Sequence, residues 1–286
     1  MSDGGPHGRL AESVSEYLGI NLPDSLPRKW EKFSDVVLLP SDAFTSRDWA
    51  EFRGQGLWQA VADGLGAARV GQIGEITGDY RESGVRMLLG DNDWVVRRES
   101  GVDYGYSMTK CMFSAGNVNE RRRMGEVVSP NEVVVDMFSG IGYYSLPVLI
   151  HSEAAHVHCC EWNPEAIDAL KWNLDRNGVR ENCTIHEGDN RLSSGILKGI
   201  ADRVILGLLP TSEGSFGSSI EILRGSGGTI HVHGLSKADS HNEWSEEVVR
   251  KFRRLDTGYD FEISDIIRVK SYAPKWDHLV VDIRVN

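Results

Sequence analysis

Apolar positions change their spacing along this chain, and the change falls near residue 111. Before it the pattern is mixed. Leu10, Val14, Tyr17 and Leu18 recur at helical spacing and predict an amphipathic helix within residues 1–20. Val36 to Leu39 is a β-branched run stopped by Pro40, which predicts a strand. Residues 46–65 carry Trp49, Phe52, Leu57 and Val61 on a helical period, weakened by Gly54 and Gly56. Residues 69–110 are β-rich. There Arg86–Leu89 and Trp94–Arg98 flank Gly90-Asp91-Asn92-Asp93, which predicts a hairpin. Residues 1–110 therefore form a small α+β domain.

From residue 111 strand and helix signals alternate. Asn117 with Glu120 is a capping-box arrangement opening a helix over 118–128. Val133-Val134-Val135 is a continuous buried-strand run ending in Asp136. His156–Cys160 is a strand. Asn163 caps a helix with Pro164 at its first position, Ile167, Leu170 and Leu174 on its apolar face, and Gly178 beyond its end. Cys183–His186, Arg203–Leu206 and Thr229–Val232 are further strands. Phe261–Lys270 and His278–Val285 close the chain as two strands joined by a loop. This alternation predicts an α/β domain over 111–286, its sheet mostly parallel with a terminal antiparallel hairpin.

Composition adds limits. The chain has 286 residues, enough for one small domain and one of ordinary size, and its 40% hydrophobic and 26% charged residues are a globular balance. The amino terminus lacks a basic-then-apolar leader, and the most apolar stretch, VVVDMFSGIGYYSLPVLI, is broken by Asp136, two glycines and Pro147. A cytoplasmic protein without a membrane span is expected. The four cysteines, Cys111, Cys159, Cys160 and Cys183, form no CxxC pair, which points to reduced thiols rather than a metal site or disulfides. A net charge of −11 argues against general polyanion binding. Local basic clusters still suit RNA, and three stand out: Arg121-Arg122-Arg123, Arg250-Lys251 with Arg253-Arg254, and Arg28-Lys29 with Lys32. A solvated helix face is the alternative reading of each.

The chemically suggestive residues fall at successive strand ends, where open α/β sheets bind ligands. Asp136-Met137-Phe138-Ser139-Gly140-Ile141-Gly142 closes the first strand of the second domain, and its glycines permit a tight turn and close approach of backbone to ligand. The next strand ends at Glu161, 19 residues beyond Gly142; an acid there accepts hydrogen bonds from ribose hydroxyls. Asp189-Asn190 follows the third strand, placed to read an adenine edge. A dinucleotide would call for GxGxxG, and the third glycine position is Ser145.

The DxFxGxG form resembles the first motif of class I S-adenosylmethionine-dependent methyltransferases. The resemblance narrows with Phe113-Ser114-Ala115-Gly116-Asn117 and Glu120-Arg121. With DMFSGIG, CEWNP at 160–164, GDNR at 188–191, DRVILGLLP at 202–210 and the closing KSYAPKWDHLVVDIRV, the chain resembles the wybutosine-synthesis aminocarboxypropyltransferases, relatives of the tRNA guanine-37 methyltransferases. This implies a Rossmann-like, mostly parallel seven-stranded sheet behind a small α+β domain that positions tRNA. The implied activity moves the 3-amino-3-carboxypropyl group of S-adenosylmethionine to 4-demethylwyosine at position 37 in the anticodon loop of phenylalanine tRNA, releasing methylthioadenosine. No metal and no obligate protein partner are implied. By motif matching, Ser114, Arg121, Asp136, Gly140, Gly142, Glu161, Asp189 and Asn190 hold the cofactor. The family usually has Lys where this chain has Arg121, a bulkier planar cation to face the methionine carboxylate.

A sulfonium has three electrophilic carbons, and the one held in line with the nucleophile reacts. Amine methyltransferases of this fold often grip the target amine with an Asp/Asn-Pro-Pro-Tyr/Phe motif after the fourth strand. Gly207-Leu208-Leu209-Pro210-Thr211-Ser212 stands there instead, without carboxylate or amide. Ser114, Arg121 and the helix beginning at Asn117 would then fix the methionine chain. No general base is evident. His231 and His233 share one face near the end of the fifth strand and are the candidates, with a buried structural role as the alternative. Trp162 and Trp172 have faces that stack on bases, although core packing is the plainer expectation. Guanine-37 methylation and a noncatalytic, cofactor-retaining RNA-binding module remain the rival readings.

Overall fold

The computed structural model describes residues 4–76, 78, 83–193, 195–255 and 258–286; the ends of two predicted stretches, at residues 1–3 and at 77 and 79–82, lie outside them. The described residues divide into two compact units, one of residues up to 97 with 105–113, the other of 98–104 with 114–286.

In the first unit Pro6–Leu18 (α1) buries Leu10 and Val14 at a helical interval, while Tyr17 stays half exposed. Glu31–Phe33 (β1), Val36–Leu39 (β2), Arg69–Gln72 (β3) and Arg86–Leu89 (β4) make a four-stranded sheet in that order. β2 and β3 are parallel, and Gln55–Leu65 (α2) lies between them in sequence. The predicted helix over 46–65 begins late: Arg47–Trp49 is a separate 3-10 turn, and Gly54 is the N-cap of α2. Gly54 is extended, and glycine is among the residues accepted at an N-cap, so the helix starts after it.

The hairpin predicted around Gly90–Asp93 does not form. β4 pairs with β3, whereas Trp94–Glu99 (β5) pairs with Val102–Ser107 (β6). The tight turn is Ser100-Gly101, with φ of 50° and 82°. Two successive positive φ angles suit the right-handed twist of a two-residue hairpin. The Gly90–Asp93 stretch is instead occupied by side chains. Asn92 accepts from Trp94 N–H at 2.9 Å, and Asp93 accepts from the Ser107 and Thr109 hydroxyls.

The second unit holds Val118–Val127 (α3), Val133–Asp136 (β7), Ser145–His151 (α4), His156–Glu161 (β8), Pro164–Arg176 (α5), Cys183–Glu187 (β9) and Asn190–Ser193 (α6). Arg203–Leu206 (β10), Phe216–Ile222 (α7), Gly228–Lys237 (β11), His241–Arg253 (α8), Phe261–Ala273 (β12) and Trp276–Val285 (β13) complete it. The seven strands run in the order β12-β13-β11-β10-β7-β8-β9. β9, β8, β7, β10 and β11 are parallel, and β13 is antiparallel to both β11 and β12. β10 is buried along its whole length, its Val204-Ile205-Leu206 run apolar and its Arg203 paired with Glu132. The strand order reverses beside β7, so a crevice is expected outside the carboxyl ends of β7 and β10.

α5 obeys its local signals: Asn163 Oδ1 accepts from Glu165 N–H at 3.0 Å, Pro164 opens the helix, and Gly178 beyond it has φ 69°. The capping box at α3 fails. Asn117 is the N-cap, but its Oδ1 accepts from Ser114 Oγ at 3.3 Å rather than from a backbone amide of the helix, and Glu120 turns inward to Arg123. A buried partner wins the carboxylate from the helix end. Among the described residues no helix is long and apolar enough to cross a membrane.

Candidate functional site

The loop after β7 is built around two positive-φ glycines, Gly140 at 54° and Gly142 at 97°. A Cβ on Gly142 would stand 2.7 Å from Leu146 Cγ, so the turn admits only glycine. Asp136, expected to face ligand, is fully buried beneath this loop. Its oxygens accept from Ser145 Oγ at 2.8 Å and Phe138 N–H at 3.2 Å. Burial, with some repulsion from Glu161, pushes its carboxyl up to about 6 against the pull of those donors. It shapes the loop from behind.

Glu161 lies at the end of β8 and joins the two motifs. Oε2 accepts from Gly140 N–H at 2.7 Å, and Oε1 accepts from the Trp162 and Asn163 amides at 2.9 and 2.8 Å. Burial raises its pKa while the three amides oppose the rise. A carboxylate has about four acceptor positions, so one remains for a ribose hydroxyl. Beside it Trp162 is 47% exposed, contrary to core packing.

After β9 the two expected adenine readers separate. Asp189 is drawn into a salt bridge with Arg191, which holds it below the usual carboxylate range. Asn190 is buried; it donates to Met137 C=O at 2.7 Å and accepts from Ser215 Oγ at 3.0 Å. Its amide thus ties the β9 loop to the β7 loop, and what it offers a ligand is shape more than a free edge.

At the predicted methionine end the expected cation has internal partners. Arg121 is 2% exposed and makes a two-pronged pair with Glu99, Nε to Oε1 at 2.5 Å and Nη2 to Oε2 at 2.7 Å. Its third nitrogen donates to Ser114 C=O at 2.9 Å. The guanidinium is a support under Ser114. The Ser114 hydroxyl, in contrast, meets the ammonium of Lys270 on β12. Lys270 is the first residue of the closing motif, so its position was legible; its neighbour was not. Glu99 had no sequence signal at all, because its role comes from a partner 22 residues away.

Neither histidine is placed to act as a base. His231 is fully buried, and Arg203 Nη1 donates to its Nε2 at 2.7 Å. Arginine cannot accept, so the imidazole proton sits on Nδ1 and is donated to Asp282 at 2.6 Å. Burial lowers its pKa despite Asp282. His233 is 1% exposed, 3.0 Å from His278 and well below its ordinary pKa through burial and that neighbour. They do share a face, as alternation requires, but it is an internal one.

The basic cluster at 121–123 also dissolves. Arg123 joins Glu120 and Asp282, each at 2.7 Å, and Arg122 pairs with Glu126 at the surface. Arg250 pairs with Glu247, Lys251 with Glu213, and Lys32 donates to Leu65 and Gly66 carbonyls, while Arg28 and Lys29 are exposed. No group of three or more metal-ligating side chains occurs among the described residues.

Residues 95–263 match the family described as TRM5/TYW2 methyltransferase domain, and residues 10–93 the TYW2 N-terminal domain. The tRNA wybutosine-synthesizing protein 2/3/4 of Arabidopsis thaliana is 43% identical over 289 residues, covering 98% of this chain but 29% of its own length. This chain therefore spans less than a third of that plant relative. The tRNA wybutosine-synthesizing protein 2 homolog of Danio rerio is 37% identical, with 97% of this chain and 78% of the relative covered. The crystal structure of TYW2 from Pyrococcus horikoshii in complex with MeSAdo superimposes with a TM-score of 0.79 at 29% identity, covering 96% of this chain and 98% of that one. A match over more than half its length, together with a relative of this identity covered over most of its length, places the chain in the TRM5/TYW2 family of class I methyltransferase folds.

Proposed function

We propose that this protein is an S-adenosylmethionine-dependent aminocarboxypropyltransferase acting on 4-demethylwyosine at position 37 of phenylalanine tRNA. Residues 1–110 serve to position the tRNA, and 111–286 carry the reaction. The single observation that carries the reading is the contrast between two corners of the carboxyl edge. The loop after β10, Gly207-Leu208-Leu209-Pro210, offers no carboxylate or amide to grip an amine. The opposite corner gathers Ser114 and Lys270 at the entry to α3. The contrast supports polar recognition of the methionine chain.

The residues fit the cofactor. The Gly140–Gly142 turn carries no side chain at its two glycines to hold a nucleoside off the backbone, Glu161 keeps an acceptor position for ribose, and Asn190 fixes the floor between the two loops. Bound there, S-adenosylmethionine supplies a sulfonium whose departure as neutral methylthioadenosine drives transfer. The chain's part is orientation: holding the amino-carboxypropyl arm so that its sulfur-bound methylene, rather than the methyl, faces the acceptor carbon, which bonds to it as the carbon–sulfur bond breaks. Since both strand-end histidines are internal, the proton lost from the acceptor carbon of the base goes to solvent or tRNA. A related protein crystallised with MeSAdo supports the same leaving product.

The test uses two labels. With precursor tRNA and S-adenosylmethionine labelled in the carboxyl group, label should enter tRNA as methylthioadenosine forms. Transfer of methyl label with release of adenosylhomocysteine would make the protein a methyltransferase and overturn the proposal. Cofactor binding without any transfer would leave a noncatalytic module.

A further inference from the structure

We propose that Lys270, not Arg121, is the cation that receives the carboxylate of the S-adenosylmethionine methionine chain. The proposal rests on the cofactor reading above and sharpens it.

Position comes first. Arg203, which opens β10, donates to Val127 C=O at 3.0 Å, so the carboxyl end of α3 lies at the amino edge of the sheet. α3 spans 10 residues, about 15 Å. Its amino end, with Ser114–Asn117 before it, therefore reaches the carboxyl edge, where ligands bind. Lys270 meets it there. In register it opposes His278, which itself opposes Leu235, three residues past the level at which β10 ends beside Val232.

Charge comes second. Arg121 commits its fork to Glu99 and a further nitrogen to Ser114 C=O. A guanidinium matched prong for prong by one carboxylate has its two-pronged edge taken and cannot present that fork to a second. Lys270 is half-buried, touches the Ser114 hydroxyl, and forms no ion pair with a carboxylate among the described residues. Its pKa is lowered by burial and by the charge of Arg121, as expected of a cation short of a counter-ion. The partial positive charge at the amino end of α3 adds to the same deficit. An anion satisfies all three. Space comes third: a Cβ on Gly116 would stand 2.9 Å from Lys270 Cδ, so the glycine admits the lysine stem. The Ser114 hydroxyl donates to Asn117 Oδ1 at 3.3 Å and accepts from Lys270, so it aims the ammonium, which is the donor that meets the carboxylate, with Arg121 acting through Ser114 as a positioning residue.

The experiment compares calorimetric affinities for S-adenosylmethionine, its decarboxylated analogue and methylthioadenosine. Lys270→Ala should weaken S-adenosylmethionine about tenfold to a hundredfold, the worth of a charged hydrogen bond. Binding of the two ligands without a carboxylate should stay within about twofold. Lys270→Arg should restore much of the loss. The paired change Arg121→Met with Glu99→Met should keep the preference for the carboxylate. Lys270→Gln repeats the measurement if the alanine variant no longer binds methylthioadenosine. Equal loss for all three ligands, or a preference erased by the paired change and kept in Lys270→Ala, overturns the assignment. A wild-type protein that binds none of the three would sink the cofactor reading itself.

Discussion

Glu161 accepts from three backbone amides, and the proposed ribose contact would use its remaining acceptor position, so the two roles stand or fall together. Glu161→Ala removes the ribose acceptor and unties the glycine loop from β8. Its affinity for methylthioadenosine should fall about tenfold to a hundredfold. Glu161→Gln should fare little better, since an amide nitrogen set against Gly140 N–H puts donor against donor. Titration calorimetry measures both, and an unchanged affinity in the alanine variant removes the ribose assignment. At this scale the sequence is a good guide to where residues stand. Gly140, Gly142, Glu161 and Ser114 lie at the strand and helix ends their spacing implies. It is a poor guide to what polar groups hold. Motif matching sets Asp136, Asn190 and Arg121 against the ligand, yet each is buried on internal partners.

At the scale of elements, α3 shows how tertiary partners override local grammar. Glu120 leaves the capping box for Arg123, which also grips Asp282 on β13. Both carboxylates are nearly inaccessible, Glu120 at 2% and Asp282 at 7%. Burial raises the pKa of Glu120, while His231 and Arg123 hold Asp282 far below the usual range. Arg123→Met should therefore cost about 3–5 kcal/mol, because two buried carboxylates lose one shared cation. Glu120→Gln added to it should recover part of the loss. Urea denaturation gives the values; a cost under about 1 kcal/mol would show that water reaches the pair. The misplaced hairpin teaches the same lesson. Gly90–Asp93 has turn composition, but Ser100-Gly101 has the conformation that a two-residue hairpin needs.

For the whole molecule, the buried histidines of the second unit set a pH dependence. His231, His233 and His278 all have lowered pKa values, that of His278 at about 4. Below the unfolded value of about 6.5 the unfolded chain binds protons that the folded one refuses, so stability falls with falling pH. Asp136, with the buried Glu120 and Glu161 whose pKa values are also raised, acts oppositely. Its raised pKa gives stability that is present at low pH and is lost as pH rises through about 6. His233, held well below its ordinary value, and His278, at about 4, refuse protons across the whole window and should leave a net decline between pH 7 and pH 5. Each tenfold difference in proton affinity between folded and unfolded chain carries about 1.4 kcal/mol. Thermal melting across that range should show a falling Tm. A flat or rising curve would mean that the three imidazoles take up protons in the folded state.

The periods of apolar residues, the cap at Asn163 and the positive-φ glycines determined by themselves the strand and helix series of the second unit and the edge where ligand residues gather. Those signals act over a turn or a strand, and hydrophobic burial rewards them wherever the chain goes. The partners of the charged groups were settled only in three dimensions. Glu99 claims Arg121, Asp282 claims Arg123 and His231, and Lys270 comes to Ser114 from 156 positions away. A buried charge must be matched by whatever the fold brings within about 3 Å, and no local pattern encodes that neighbour.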